Sequence, residues 1–122
     1  MQTTKNLSAR LREDLIAFIG TETWHRHPLN RSMLLTDGVV YFADQAGAWW
    51  LLDIAATEIF QMQASQAFLV IDLDVASDKA NIRVSDGDDN QIYRRHIHFT
   101  DAPVGTWRFS LTDNVMLLPS EY

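Results

Sequence analysis

Two His-x-His pairs, His25/His27 and His96/His98, hold all four histidines of the chain and are its clearest invitation to chemistry. On an extended strand this spacing places both imidazoles on one face, an arrangement zinc accepts. A mononuclear site needs a third ligand. Glu22 and Asp37 are candidates beside His25 and His27, whereas Arg94 beside His96 and His98 discourages a cation. The plain reading of both pairs is a polar strand or loop face, and no metal or other cofactor is expected. Asp86-Gly87-Asp88-Asp89-Asn90 suggests a calcium loop, but Gln91 stands where its glycine belongs and Ile97 where its bidentate glutamate belongs. A polar hairpin turn accounts for it better.

The chain has no cysteine, which excludes disulfides, thiolate zinc sites and cysteine nucleophiles. No Gly-x-Ser-x-Gly, phosphate-binding or dinucleotide-binding fingerprint is present. A small hydrolase or ligand-binding site remains open if His27 converges with Asp37 and Asp53 from separate loops. The plain alternative is that these aspartates cap helices and turns. Trp24-His25-Arg26-His27-Pro28-Leu29-Asn30-Arg31 combines aromatic, cationic and amide groups, which suit a phosphate, a carboxylate or an acidic protein surface. Its plain reading is a structural loop in which Asn30 and Arg31 satisfy backbone carbonyls.

These residues need elements to hold them. Leu7, Leu11, Leu15, Phe18 and Ile19 fall on one helical stripe, predicting a helix over Leu7–Ile19 with Asn6 as cap and Gly20 as terminator. Met33–Thr36 and Val39–Phe42 flank Asp37-Gly38, which predicts a hairpin. A second helix is expected over Gly47–Met62. Ala48, Leu51, Leu52, Ala55, Ile59 and Met62 form one stripe, with Trp49, Trp50 and Phe60 on the far side. Aromatics on a second face anchor interfaces, so a dimer or partner contact through Trp49 and Trp50 is expected, against the alternative of burial within the domain.

Four segments then alternate with period two, around Leu69/Ile71/Leu73, Ile82/Val84, Tyr93/Ile97/Phe99 and Trp107/Phe109/Leu111. Turns at Ser77-Asp78, Asp86-Gly87 and Asp113-Asn114 join them into an antiparallel meander. The expected fold is α+β: an antiparallel sheet, hairpin plus meander, with two helices packed on one face. At the C-terminus Pro119 turns the chain out of its strand. Tyr122 is expected to dock near Arg26, His27 and Arg31.

The chain is 122 residues long, 47% hydrophobic and 21% charged, which fits a single domain spanning 1–122. Nothing resembles a signal peptide or an 18-residue apolar span, so a soluble, cytoplasmic protein without membrane contact is expected. The net charge of −6 is uneven: residues 1–32 carry five basic and three acidic groups, the remainder five and thirteen. An acidic bulk argues against direct nucleic-acid binding, which draws its affinity from neutralising phosphates.

The run Gly20–Arg31, together with Thr36-Asp37-Gly38, Gly47–Asp53, Phe99-Thr100-Asp101 and Leu118–Tyr122, resembles a family of uncharacterised bacterial proteins known only as a domain of unknown function. Ile54 departs from that pattern, where an acidic residue is expected. Members tend to occur on plasmids, phages and other mobile elements. The resemblance implies that setting but no activity and no catalytic residues. The expected function is a non-enzymatic accessory protein binding a protein or anionic partner through Trp24, His25, His27, Asn30, Arg31, Trp49, Trp50, Asp53 and Tyr122. A hydrolase or ligand-binding domain is the alternative.

Overall fold

Leu69, Ile71 and Leu73 are completely buried, and so are Ile82, Val84, Phe109 and Leu111. Period-two alternation thus defines the core face of the central strands as the sequence implies. A computed structural model describes the backbone of residues 4–122 and the side chains of residues 7–122. The elements run α1 (Thr4–Ile16), β1 (His25–Arg26), β2 (Leu34–Leu35), α2 (Asp37–Ala46), α3 (Trp49–Ile54), β3 (Phe68–Ala76), β4 (Lys79–Ser85), β5 (Gln91–Ile97), β6 (Gly105–Thr112) and β7 (Val115–Leu117). The fold is α+β. Three α-helices, rather than two, accompany a seven-stranded sheet among the described residues.

The helix α1 starts earlier and ends sooner than the stripe predicts. Asn6 lies inside it and not at its cap, and the Asn6 side chain is outside the described residues. Leu11 is the buried residue of its stripe; Leu7 and Ile19 are exposed.

The hairpin predicted across Asp37-Gly38 is a helix instead. Thr36 is the N-cap of α2, its hydroxyl accepting from the Val39 N–H at 3.4 Å, and Gly47 closes the other end in the left-handed region at φ 63°. Val39, Phe42, Ala43 and Ala46 are buried at helical spacing, so the 3.6-residue period prevailed over β-favouring composition. A hairpin does exist nearby, formed by β1 and β2, with His25 opposite Leu35 and Arg26 opposite Leu34.

The second predicted helix is present with a change of winding. After α3 the chain makes a π-helical turn over Ala55–Ile59 and a tighter 3₁₀ stretch over Phe60–Ala64.

The sheet order is β1-β2-β7-β6-β3-β4-β5. A pure meander would have placed β6 beside β5. Instead β6 crosses over and pairs antiparallel with β3, Ile71 opposite Phe109, while β2 and β7 run parallel. Burial explains the choice. The strand β6 carries Trp107, Phe109 and Leu111, all buried, and gains most from an interior place. Strand β5 is mostly exposed and carries Arg94, Arg95 and His96, which suits an edge. Phe99, expected on the core face, lies beyond the end of β5 and is exposed. The core closes where Phe42 of α2 packs against Trp107 and Phe109, ring centroids 5.4 and 5.0 Å away.

Candidate functional site

Asp37 occupies the first turn of α2, where a carboxylate favours the positive end of the helix dipole. Its Oδ2 accepts the backbone N–H of Glu22 at 2.9 Å and of Thr23 at 3.4 Å, and its Oδ1 lies 2.9 Å from His25 Nε2. The Glu22 N–H, and next the His25 ring, hold the Asp37 carboxyl below its ordinary value. The segment Thr21–His25 is thereby wrapped around the start of α2. Thr21 Oγ1 completes the wrap by accepting the Asp37 N–H at 2.9 Å.

Two residues on, His27 is completely buried. Its Nδ1 accepts the Leu29 N–H at 3.0 Å, so the ring proton belongs on Nε2, which faces Asp53 Oδ1 at 3.0 Å. Asp53 comes from α3 and is half exposed. The structure therefore makes two separate His–Asp pairs, His25 with Asp37 and His27 with Asp53. A cluster of His27 with both aspartates is not formed by these hydrogen bonds.

The turn beyond His27 is braced on both sides. Asn30 Nδ2 donates to the Ala56 carbonyl in the π-helical turn at 3.1 Å, and Asn30 Oδ1 accepts the Ser32 N–H at 3.1 Å. The Met33 N–H reaches the Asn30 carbonyl, and Arg26 Nη1 donates to the Arg31 carbonyl at 2.7 Å. Asn30 thus has the structural role that the plain reading gave it. What points outward is Trp24, 55% exposed, Leu29, 63% exposed, and the Arg31 side chain.

Other expected site residues lie elsewhere. Trp49 and Trp50 are half-buried against the core, and Trp49 Nε1 donates to Asp44 Oδ1 at 2.7 Å. Tyr122 sets its ring edge-on against Phe68, at 5.6 Å, and is not docked on the Trp24–Arg31 loop. The tail is anchored by its neighbour. The Glu121 carboxylate accepts from Thr36 Oγ1 at 2.6 Å, from the Leu118 N–H at 2.9 Å and from the Gly38 N–H at 3.0 Å. Charge-assisted bonds to a helix N-terminus outcompete the phenol, whose ring needs only apolar contact.

His96 and His98 stack edge to face at 4.9 Å, with His96 Nδ1 3.2 Å from Asn81 Oδ1. Among the described residues no group of three or more His, Asp or Glu side chains is placed to hold a metal ion. Asp86 turns its carboxylate inward to the Asp88 and Asn90 N–H groups and to Asn90 Nδ2, as a hairpin turn requires. No described helix is long and apolar enough to cross a membrane.

The chain matches the family of unknown function DUF6876 over residues 9–122. It belongs to that family. The match takes in both His–Asp pairs, the braced loop and the Glu121 anchor. Neither the curated proteins nor the solved structures include a match.

Sequence reasoning missed Thr36 as a helix cap, Glu121 as its remote partner, and Glu58, which binds both Tyr93 and Arg95 of β5. The first had a readable signal, since Thr-Asp followed by apolar residues at helical spacing marks a helix start. The other two link residues far apart in sequence and carry no local signature.

Proposed function

We propose that this chain is a non-enzymatic interaction protein, an accessory protein of a mobile genetic element, that engages a protein or other anionic partner with its Trp24–Arg31 loop. The state of His27 carries this reading. Both ring nitrogens are committed, one to the Leu29 N–H and one to Asp53, and the ring is completely buried. A general base needs a free nitrogen within reach of a substrate proton. Here the imidazole serves as a strut, and the loop it supports turns Trp24, Leu29 and Arg31 to solvent. A braced loop offering an aromatic, an aliphatic and a guanidinium group is suited to recognition, because little ordering entropy opposes binding. The mobile-element setting rests on the sequence resemblance.

One observation favours a second reading as a hydrolase or ligand-binding domain. The His25–Asp37 pair is only half-buried, and Asp37 lines an open cleft of about 510 Å³ with Phe18, Gly20 and Glu22. In that reading the site centres on His25, not on His27.

The deciding experiment compares wild-type protein with the Trp24→Ala/Leu29→Ser double variant as bait in the native host. A partner retained by the wild type and lost by an equally stable double variant supports the interaction reading. Equal retention by both overturns the role of the loop.

A further inference from the structure

Half of one edge of β6 has no neighbouring strand. β7 pairs only with Ser110–Thr112, so Thr106–Phe109 have β3 on one side and no strand on the other. Helix α1 lies along that open side, where Ser8 Oγ donates to the Val104 carbonyl at 2.7 Å and Arg12 Nη1 to the Thr106 carbonyl at 3.3 Å. Strand residues two apart direct their backbone groups the same way, so the N–H and C=O of Arg108 point to the same side as the Thr106 carbonyl. A cavity of about 220 Å³ lies there. Its apolar walls are Leu15 and Ile16 of α1, Phe109 of β6, and Leu118 and Pro119 of the tail.

Arg12 and Arg108 both line this cleft, but the Arg108 guanidinium is paired with Asp72, which leaves Arg12 as the cation available to a ligand. The Arg12 guanidinium sits 4.3 Å from the centroid of the Trp107 ring, and no described carboxylate forms an ion pair with it. The chain leaves room for it at one position. Gly105 has φ +138°, and a Cβ there would fall 2.8 Å from Arg12 Nη2. At the mouth Ile16 is 67% exposed, an apolar surface left to solvent beside a cation without an acidic partner.

We propose that this cleft binds a small monocarboxylate with an apolar body, the carboxylate on Arg12 and the body among the aliphatic and aromatic walls. The volume sets the size, since drug-sized ligands need roughly 300 Å³ or more. The charge sets the class: a guanidinium holds a carboxylate through paired N–H donors, and a neutral amide of the same shape lacks that attraction. This site is separate from the Trp24–Arg31 loop and does not depend on its role.

The test is a titration of the full chain with octanoate, and in parallel with octanamide, followed by ¹H–¹⁵N NMR. Saturable shifts are expected at the Arg108 amide and the Trp107 indole N–H, with octanamide weaker by about tenfold or more. Arg12→Gln is expected to weaken octanoate by a similar factor. Ile16→Asp, an exposed change that leaves the core intact, is expected to do the same by repelling the carboxylate at the mouth. Shifts that are absent, unsaturable or centred elsewhere overturn the proposal. So does equal affinity for acid and amide, or an Ile16→Asp variant that binds octanoate like the wild type.

Discussion

The Glu121 carboxylate fills the space that a side chain on Gly38 would need. A Cβ built on Gly38 would fall 2.9 Å from Glu121 Cδ and 2.5 Å from Leu118 Cδ1, both closer than real contacts allow. The carboxylate thereby reaches the Gly38 N–H in the first turn of α2 while also accepting from Thr36 Oγ1 and the Leu118 N–H. Helix start and chain end are closed by one group.

Glu121→Ala is expected to destabilise the fold by about 1–3 kcal/mol, because it strips three donors of their acceptor. Glu121→Gln keeps the shape but loses the charge, and should cost less. Gly38→Ala should also destabilise, despite alanine's better helix propensity, because buried Leu118 cannot move aside freely. Urea denaturation of the three variants checks the order. A Gly38→Ala protein as stable as wild type would contradict it.

His27→Ala is expected to cost about 2–4 kcal/mol, combining a buried cavity with two lost hydrogen bonds. The Leu29 amide should then exchange with solvent much faster than in the wild type. Trp24→Ala, at an exposed position, should stay within about 0.5 kcal/mol of wild type. Native-state hydrogen exchange and thermal melts separate the two classes.

Acid should unfold the protein in a window set by a few carboxylates. Asp37, Asp74 and Asp86 lie below the ordinary 3.8 and Glu58 below 4.5, held there first by the Glu22 N–H, Arg83, the Asn90 N–H and the Tyr93 hydroxyl respectively. The folded state binds these protons less readily than the unfolded chain, so their stabilisation is complete above the ordinary values. It is lost as pH falls through the folded ones. Denaturation midpoints measured from pH 7 down to pH 3 should hold steady and then drop below about pH 4. An Asp37→Asn/Asp86→Asn protein should show a shallower acid limb, and an unchanged limb would show that these groups do not govern it.

Glu58→Ala is expected to loosen β5 specifically. Glu58 ties the winding that follows α3 to Tyr93 and Arg95 on the sheet edge, but it is partly exposed, so the loss should be about 1 kcal/mol or less. The measurable sign is faster amide exchange along Gln91–Ile97 with β3 unaffected.

Much of the architecture was legible in the residues. Alternation at Leu69–Leu73 and Trp107–Leu111 named the core faces correctly, because a strand half in water must segregate its side chains with period two. The α+β class followed, as did the turn at Asp113-Asn114, where both residues adopt positive φ. Thr36-Asp37-Gly38 misled, since the residues that make tight turns also start helices, and only the spacing of Val39, Phe42, Ala43 and Ala46 distinguishes them. The place of β6 beside β3 was not local information. It came from the competition among strands for interior positions, which depends on the burial of every strand at once. The candidate site divides in the same way. The sequence by itself supplied the histidines, the aspartates and the loop that carries them. Only the tertiary structure decided that His25 meets Asp37, that His27 is consumed by Leu29 and Asp53, and that Glu121 rather than Tyr122 anchors the tail. Those partners lie 12 to 85 residues apart, apart from the Leu29 and Leu118 contacts, and a side chain selects among distant donors only after the backbone has brought them within hydrogen-bonding reach.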